Sequence, residues 1–202
     1  MATTVEICNR ALRRVKATEI SALTDDNREA QACNRHYDEV RRAALADGIW
    51  TFALKRQKLA RDAAAPVFGY DNSFSLPADC IRLWKLYVDD QGVSLLRDYS
   101  TEARAVHANY QDLWALYIRD EDDPNVMSSH FREAMVSRLA SELALTLANS
   151  RSLHEAMLDR YERTDLPRAL SVSAIQNAGQ EYPESSWVTA RYGSDGGWGW
   201  GR

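Results

Sequence analysis

The sequence predicts an α+β fold, mainly α: a helical bundle with an inserted small antiparallel β-sheet domain and an extended C-terminal arm. Three observations predict it. Apolar residues recur with a helical period before residue 48 and again after residue 128. Between them the period falls to two, broken by Pro and Gly turn signals. Beyond residue 178 neither period continues, and residues 179–202 hold six of the nine glycines and three of the six tryptophans. Residues 1–48 and 128–178 are therefore assigned to the bundle, 49–127 to the β-rich insertion and 179–202 to the arm. A chain of 202 residues with 45% hydrophobic and 27% charged side chains can bury a core without disulfide or metal staples.

The first helix opens on a capping box, Thr3 with Glu6, in which hydroxyl and carboxylate each take a free amide. Ile7, Cys8, Ala11, Leu12 and Val15 then share one face, and Arg13, Arg14 and Lys16 suit the C-terminal dipole. A second helix is expected from about Asp26 to Asp47, with Ala30, Cys33, Tyr37, Val40 and Ala44 as its stripe and Gly48 as its C′ residue. Trp50, Phe52 and Leu54 alternate with Thr51, Ala53 and Lys55, as in a strand or a short helix-to-strand transition. Further strands are expected at Phe68–Leu76, Ile81–Val88, Val93–Tyr99 and Leu113–Ile118, with a turn at Asp89–Gly92, all in one small sheet. A third helix carries Phe131, Met135, Leu139, Glu142 and Leu143 behind Ser128 or Ser129, ending near Asn149. A fourth carries Leu153, Met157 and Tyr161 behind Ser150 or Ser152, and Pro167 should kink or stop it.

Candidate chemistry is sparse. Asp120-Glu121-Asp122-Asp123 lacks the spacing of a calcium loop and reads as a solvated turn. His154-Glu155 begins like a zinc-protease motif, but Leu158 stands where the second histidine belongs. His36, His107 and His130 are scattered, and Cys80 has no strong activator nearby. Cys8, Cys33 and Cys80 read as buried thiols of a reducing compartment. The Gly-rich end, Gly193 to Gly201, lacks the strand and helix of a phosphate loop. Basic stretches at Arg10–Lys16, Arg41-Arg42 and Lys55–Arg61 read as solvated surface ahead of phosphate contact, the last with its cations alternating between two strand faces. The net charge of −4 does not suggest a protein that wraps nucleic acid. No apolar run approaches the ~18 residues of a membrane span, and the N-terminus does not read as a signal peptide. Neither catalytic, cofactor nor metal residues are assigned. The arm is the expected contact element, through Trp187, Arg191, Tyr192, Trp198, Trp200 and Arg202.

Motif order carries a resemblance. Ile7-Cys8-Asn9-Arg10-Ala11-Leu12 is followed by Ala32-Cys33-Asn34, Tyr37-Asp38, Val40-Arg41 and Trp50-Thr51-Phe52-Ala53. Next come Leu76-Pro77-Ala78-Asp79-Cys80-Ile81-Arg82, Ala108-Asn109-Tyr110 ahead of Leu116-Tyr117-Ile118, then Phe131 through Leu143, and finally Trp187 with Ala190-Arg191. Over residues 5–191 the chain resembles the tail tubular protein A family, the head-to-tail adaptors of tailed bacteriophages. The chain departs from that pattern at Pro167 and in the Gly-Trp ending beyond Arg191. The resemblance implies a structural virion protein at the head–tail junction, assembled in the host cytoplasm. It implies a homo-oligomeric ring, usually a dodecamer, docked beneath the portal protein and continuing the DNA channel into a tail nozzle or tube. Tail fibres are a further partner, duplex DNA passes without specific binding, and no cofactor or membrane is involved. Two other readings compete. A tail-associated glycan-degrading enzyme would need a carboxylate pair ~5–9.5 Å apart, which no motif selects. A DNA-binding regulator would need a 3–4-residue turn between the first two helices, and the loop there is longer.

Overall fold

The computed structural model describes residues 2–177. About 44% of the described residues are helical and 19% strand, arranged as helices and two small antiparallel sheets. Helix α1 spans Thr4–Arg14, and the Thr3 hydroxyl accepts the Glu6 amide as the capping box requires. The helix ends at Lys16, whose φ of 58° turns the chain out of helical geometry. Asn9 then braces the following loop, donating to the Ile20 carbonyl and accepting the Ile20 amide, each at 2.8 Å. Asp25 belongs to this loop and not to the helix after it. Its carboxylate accepts the Ser21 and Ala22 amides and closes the loop's last turn. Helix α2, Arg28–Ala46, starts instead at Asn27, which accepts the Ala30 amide at 2.7 Å.

After a 3₁₀ turn at Thr51–Ala53, the strands are β1 (Leu54–Lys58), β2 (Ala60–Arg61), β3 (Asn72–Ser75), β4 (Cys80–Tyr87), β5 (Ser100–Glu102), β6 (Ala105–Ala108) and β7 (Trp114–Arg119). They form two sheets where one was expected, in the orders β1-β7-β4 and β2-β3-β6-β5. The split occurs at Leu59, which lies between β1 and β2, is buried, and donates its amide to the Leu113 carbonyl at 2.8 Å. The strand expected at Val93–Tyr99 is reduced to a bridge between Tyr87 and Leu95, because Asp89 accepts the Val93 and Ser94 amides and holds that segment as a loop. The strand expected from Phe68 begins only at Asn72.

Helix α3, Ser129–Thr146, is capped by Ser128 and buries residues on nearly every side, among them Phe131, Met135, Leu139 and Leu143. A helix apolar all round belongs at the centre of its layer, and α1 and α2 pack against it. Helix α4, Arg151–Arg160, is capped by Ser150. It runs through a π-helical turn at Tyr161–Asp165 into α5, Leu166–Asn177, and both pack on α3. Pro167 therefore neither stops nor breaks the rod. The wider turn just before it accommodates a residue with no amide to give.

Two hydrophobic cores result. The first fills the space among the helices and draws in Trp50 and Ile118 from the strand region. The Trp50 ring packs edge-on against Phe131 at 4.7 Å, and its indole donates to the Ala44 carbonyl at 3.0 Å. The second core includes Phe74, Leu86, Val106, Leu113 and Tyr117, drawn from both sheets.

Candidate interaction surfaces

Register brings three loops to one end of the four-stranded sheet. Asn72 faces Ala108, and Ser100 faces His107, so the segments before β3, before β5 and after β6 emerge side by side. Polar contacts knit them: Tyr70 donates to Asp98 at 3.3 Å, and the Asp71 amide donates to the Asn109 side chain at 2.9 Å. Asn72 also donates to the Tyr110 carbonyl at 3.0 Å. These anchored loops hold apolar side chains in solvent. Val67 is 99% exposed, Phe68 87% and Val93 80%, with Leu95 and Tyr110 beside them on the same loops. Gly69 and Gly92 take left-handed φ angles of 90° and 72° next to Phe68 and Val93, which lets each loop reverse there. The sequence reading placed Phe68 in a strand and missed the surface, although Pro66 and Gly69 on either side are turn signals.

A polar seam joins the helices. Glu133 on α3 receives Arg10 and Arg14 from α1 and lies 3.6 Å from Arg160 at the end of α4. The π-helical turn aims Asp165, 7% exposed, at the Ser137 hydroxyl and at Arg160 Nε, 3.2 Å away. Arg14 also donates to Ser137, and burial lowers its guanidinium pKa. At the same turn the Tyr161 hydroxyl donates to Asp47, which also pairs with Arg138. Burial, then Asp47, pushes the Tyr161 phenol up well beyond its ordinary range. This seam is a lock between elements. Its carboxylates are satisfied by the arginines around them.

The acidic run is more than a solvated turn. Asp120 pairs with Arg41 and Arg42, and Glu121, 3% exposed, pairs with Arg119 and accepts the Asp123 amide. Half of the run is thus internal ion pairing, because Arg41 of α2 lies buried beside it and needs counter-charge. Among the described residues no cluster of His, Cys, Asp and Glu has the makings of a metal site. All three cysteines are free and buried, and burial pushes the Cys80 thiol up. Cys8, hydrogen-bonded to Cys33 and buried, is held far above the ordinary thiol range. His154 Nδ1 contacts the Ser141 carbonyl at 2.9 Å, a structural role. His36 lines a shallow cavity of about 180 Å³ with Glu39, Arg138 and Glu142, 3.3 Å from the Thr146 hydroxyl.

The expected contact residues Trp187, Arg191, Tyr192, Trp198, Trp200 and Arg202 lie outside the described residues. No protein-family model matches the chain, and no curated protein matches it.

Proposed function

We propose that the chain is a structural virion protein, a subunit of a head-to-tail adaptor ring beneath the portal that continues the DNA channel and attaches the tail. In this reading it is a helical bundle with an inserted β lobe and an extended C-terminal arm. The observation that carries the proposal is the exposure of large apolar side chains on loops tied to one another by hydrogen bonds, Val67 and Phe68 on one loop and Val93 on another. Large apolar side chains exposed on anchored loops are available for burial in a subunit interface. Burying one large apolar side chain contributes roughly 1.5–3 kcal/mol. Repeated around a ring on a template, such modest contacts add up because the template raises effective concentration. The motif order supports the same reading. Its residues Ile7, Cys8, Leu12, Cys33, Tyr37, Val40, Trp50, Phe131 and Leu143 all belong to the helical core.

The test is the solution mass of the full chain, alone and with the portal protein of the same virus. A monomer alone and a closed ring on the portal is the expected result. Val67→Ser with Phe68→Ser should keep the melting temperature and lose the ring. A chain that never associates with the portal ends the proposal. Turnover of a host glycan, abolished by one carboxylate substitution, would replace it with the glycan-degrading alternative.

A further inference from the structure

We propose that the free face of the three-stranded sheet binds single-stranded nucleic acid. Cross-strand register decides which side chains share that face. Arg56, Leu116 and Lys85 form one row across the three strands, and Lys58, Trp114 and Tyr87 form the next. Leu54, Ile118 and Arg82 form the row at the helical end, where Ile118 enters the helical core and Arg82 donates to the Ala46 carbonyl at 3.0 Å. The opposite parity carries Lys55, Tyr117, Ala115 and Leu86, and is committed elsewhere. Tyr117, Ala115 and Leu86 join the core between the sheets, and Lys55 pairs with Asp79 at 2.8 Å.

The remaining strip is about 10 Å across, three strands wide. It presents Arg56, Lys58 and Lys85 around a buried Leu116, with the half-buried rings of Trp114 and Tyr87, while Trp84 stands at the β4 irregularity between Leu83 and Lys85. Lys58 Nζ stands 5.2 Å from the Trp114 ring centroid, and Lys85 Nζ 4.8 Å from that of Trp84. Lys58 shares its charge with Asp112 at 2.9 Å, whereas Arg56 and Lys85 have no ion-pair partner among the described residues. Cations alone would be explained as edge-strand charges that block sheet extension, since β1 and β4 are both edges. Edge protection does not call for aromatic rings left at the surface between those cations, one of them on the central strand. Basic groups that track phosphates, interleaved with rings on which bases stack, are the recognition chemistry of single strands. The net charge of −4 does not oppose this, because solvent screening beyond about 8–10 Å leaves the local strip in control. A duplex hides its bases and would use only the cations.

The test uses the full chain and a fluorescent oligothymidylate, read by polarisation and by quenching of tryptophan emission. Saturable binding with quenching is expected. With three phosphate contacts, one per cation, the salt dependence should have a log–log slope of roughly −2. Arg56→Gln with Lys85→Gln should keep the melting temperature, flatten that slope by about 1.4 and weaken binding about tenfold or more. Absence of saturable binding overturns the proposal, as does an unchanged double variant. Equal affinity for a duplex of the same length, or for polyglutamate, also overturns it, since the face would then read charge alone. The ring-forming test uses the loop cluster and a portal template, so either proposal can fail without the other.

Discussion

Gly48 illustrates how a correct residue can carry the wrong reason. Its position after α2 suggests a left-handed C′ glycine, but among the described residues only Gly69 and Gly92 are glycines with positive φ. Space is what Gly48 supplies. A Cβ there would stand 2.2 Å from Leu170 Cδ2 and 3.1 Å from the Trp50 ring. Gly48→Ala should cost about 1–3 kcal/mol, as overpacking does in a filled core. Leu170→Ala in the same chain should recover part of that loss, measured as a double-mutant cycle by urea unfolding. An unchanged midpoint for Gly48→Ala would mean that Leu170 swings aside freely. Sequence shows that a glycine is present. It does not show that a side chain 122 positions later needs the room, because that contact exists only after folding.

At the scale of elements, the starts of α1, α3 and α4 were legible, whereas the cap of α2 and the strand ends were not. Thr3, Ser128 and Ser150 cap helices as their chemistry predicts, since a cap is a local hydrogen bond. The β5–β6 hairpin went unread because its turn residues are Ala103 and Arg104, with φ angles of 45° and 66°. Such turns ordinarily carry Asn-Gly, which signals them in sequence. Arg104 is retained by its own contacts: its guanidinium donates to the carbonyls of Pro77, Ala78 and Cys80. Ala103 has no such tie, so Ala103→Asn should stabilise by roughly 0.5–1 kcal/mol and raise the melting temperature. A lower melting temperature would show that the left-handed pair is held by something other than local backbone preference. The π-helical turn was hidden for a related reason. It becomes recognisable only once Tyr161 and Asp165 have found Asp47 and Ser137.

For the whole molecule, the period switch was legible and the second core was not. A period of two marks strands but does not say which strands join which sheet; that depends on Leu59 crossing between them. Surfaces were the least legible, because Phe68 and Trp114 look alike in sequence and only register places one on a loop tip and the other on a sheet face. The helical core is the better-founded prediction. Tyr37 is 6% exposed and Leu139 fully buried, in one cluster. Tyr37→Asp and Leu139→Asp each introduce a charge without a partner, a cost of several kcal/mol. Each should abolish the cooperative thermal transition followed by circular dichroism. A wild-type melting temperature in either variant would contradict that core.

The placement of α3 also has a consequence for synthesis. Helices α1 and α2 leave the ribosome first, with Ile7, Leu12, Tyr37 and Val40 needing α3 for cover. About 80 residues of strands and loops must be translated before α3 emerges, which takes roughly 4–16 s at 5–20 residues per second. For that interval the nascent chain carries an uncovered apolar helical pair, while the strand region has all its own material and is free to close. The strands should therefore reach protease resistance on stalled ribosomes before the helices do, although α1 and α2 are made first.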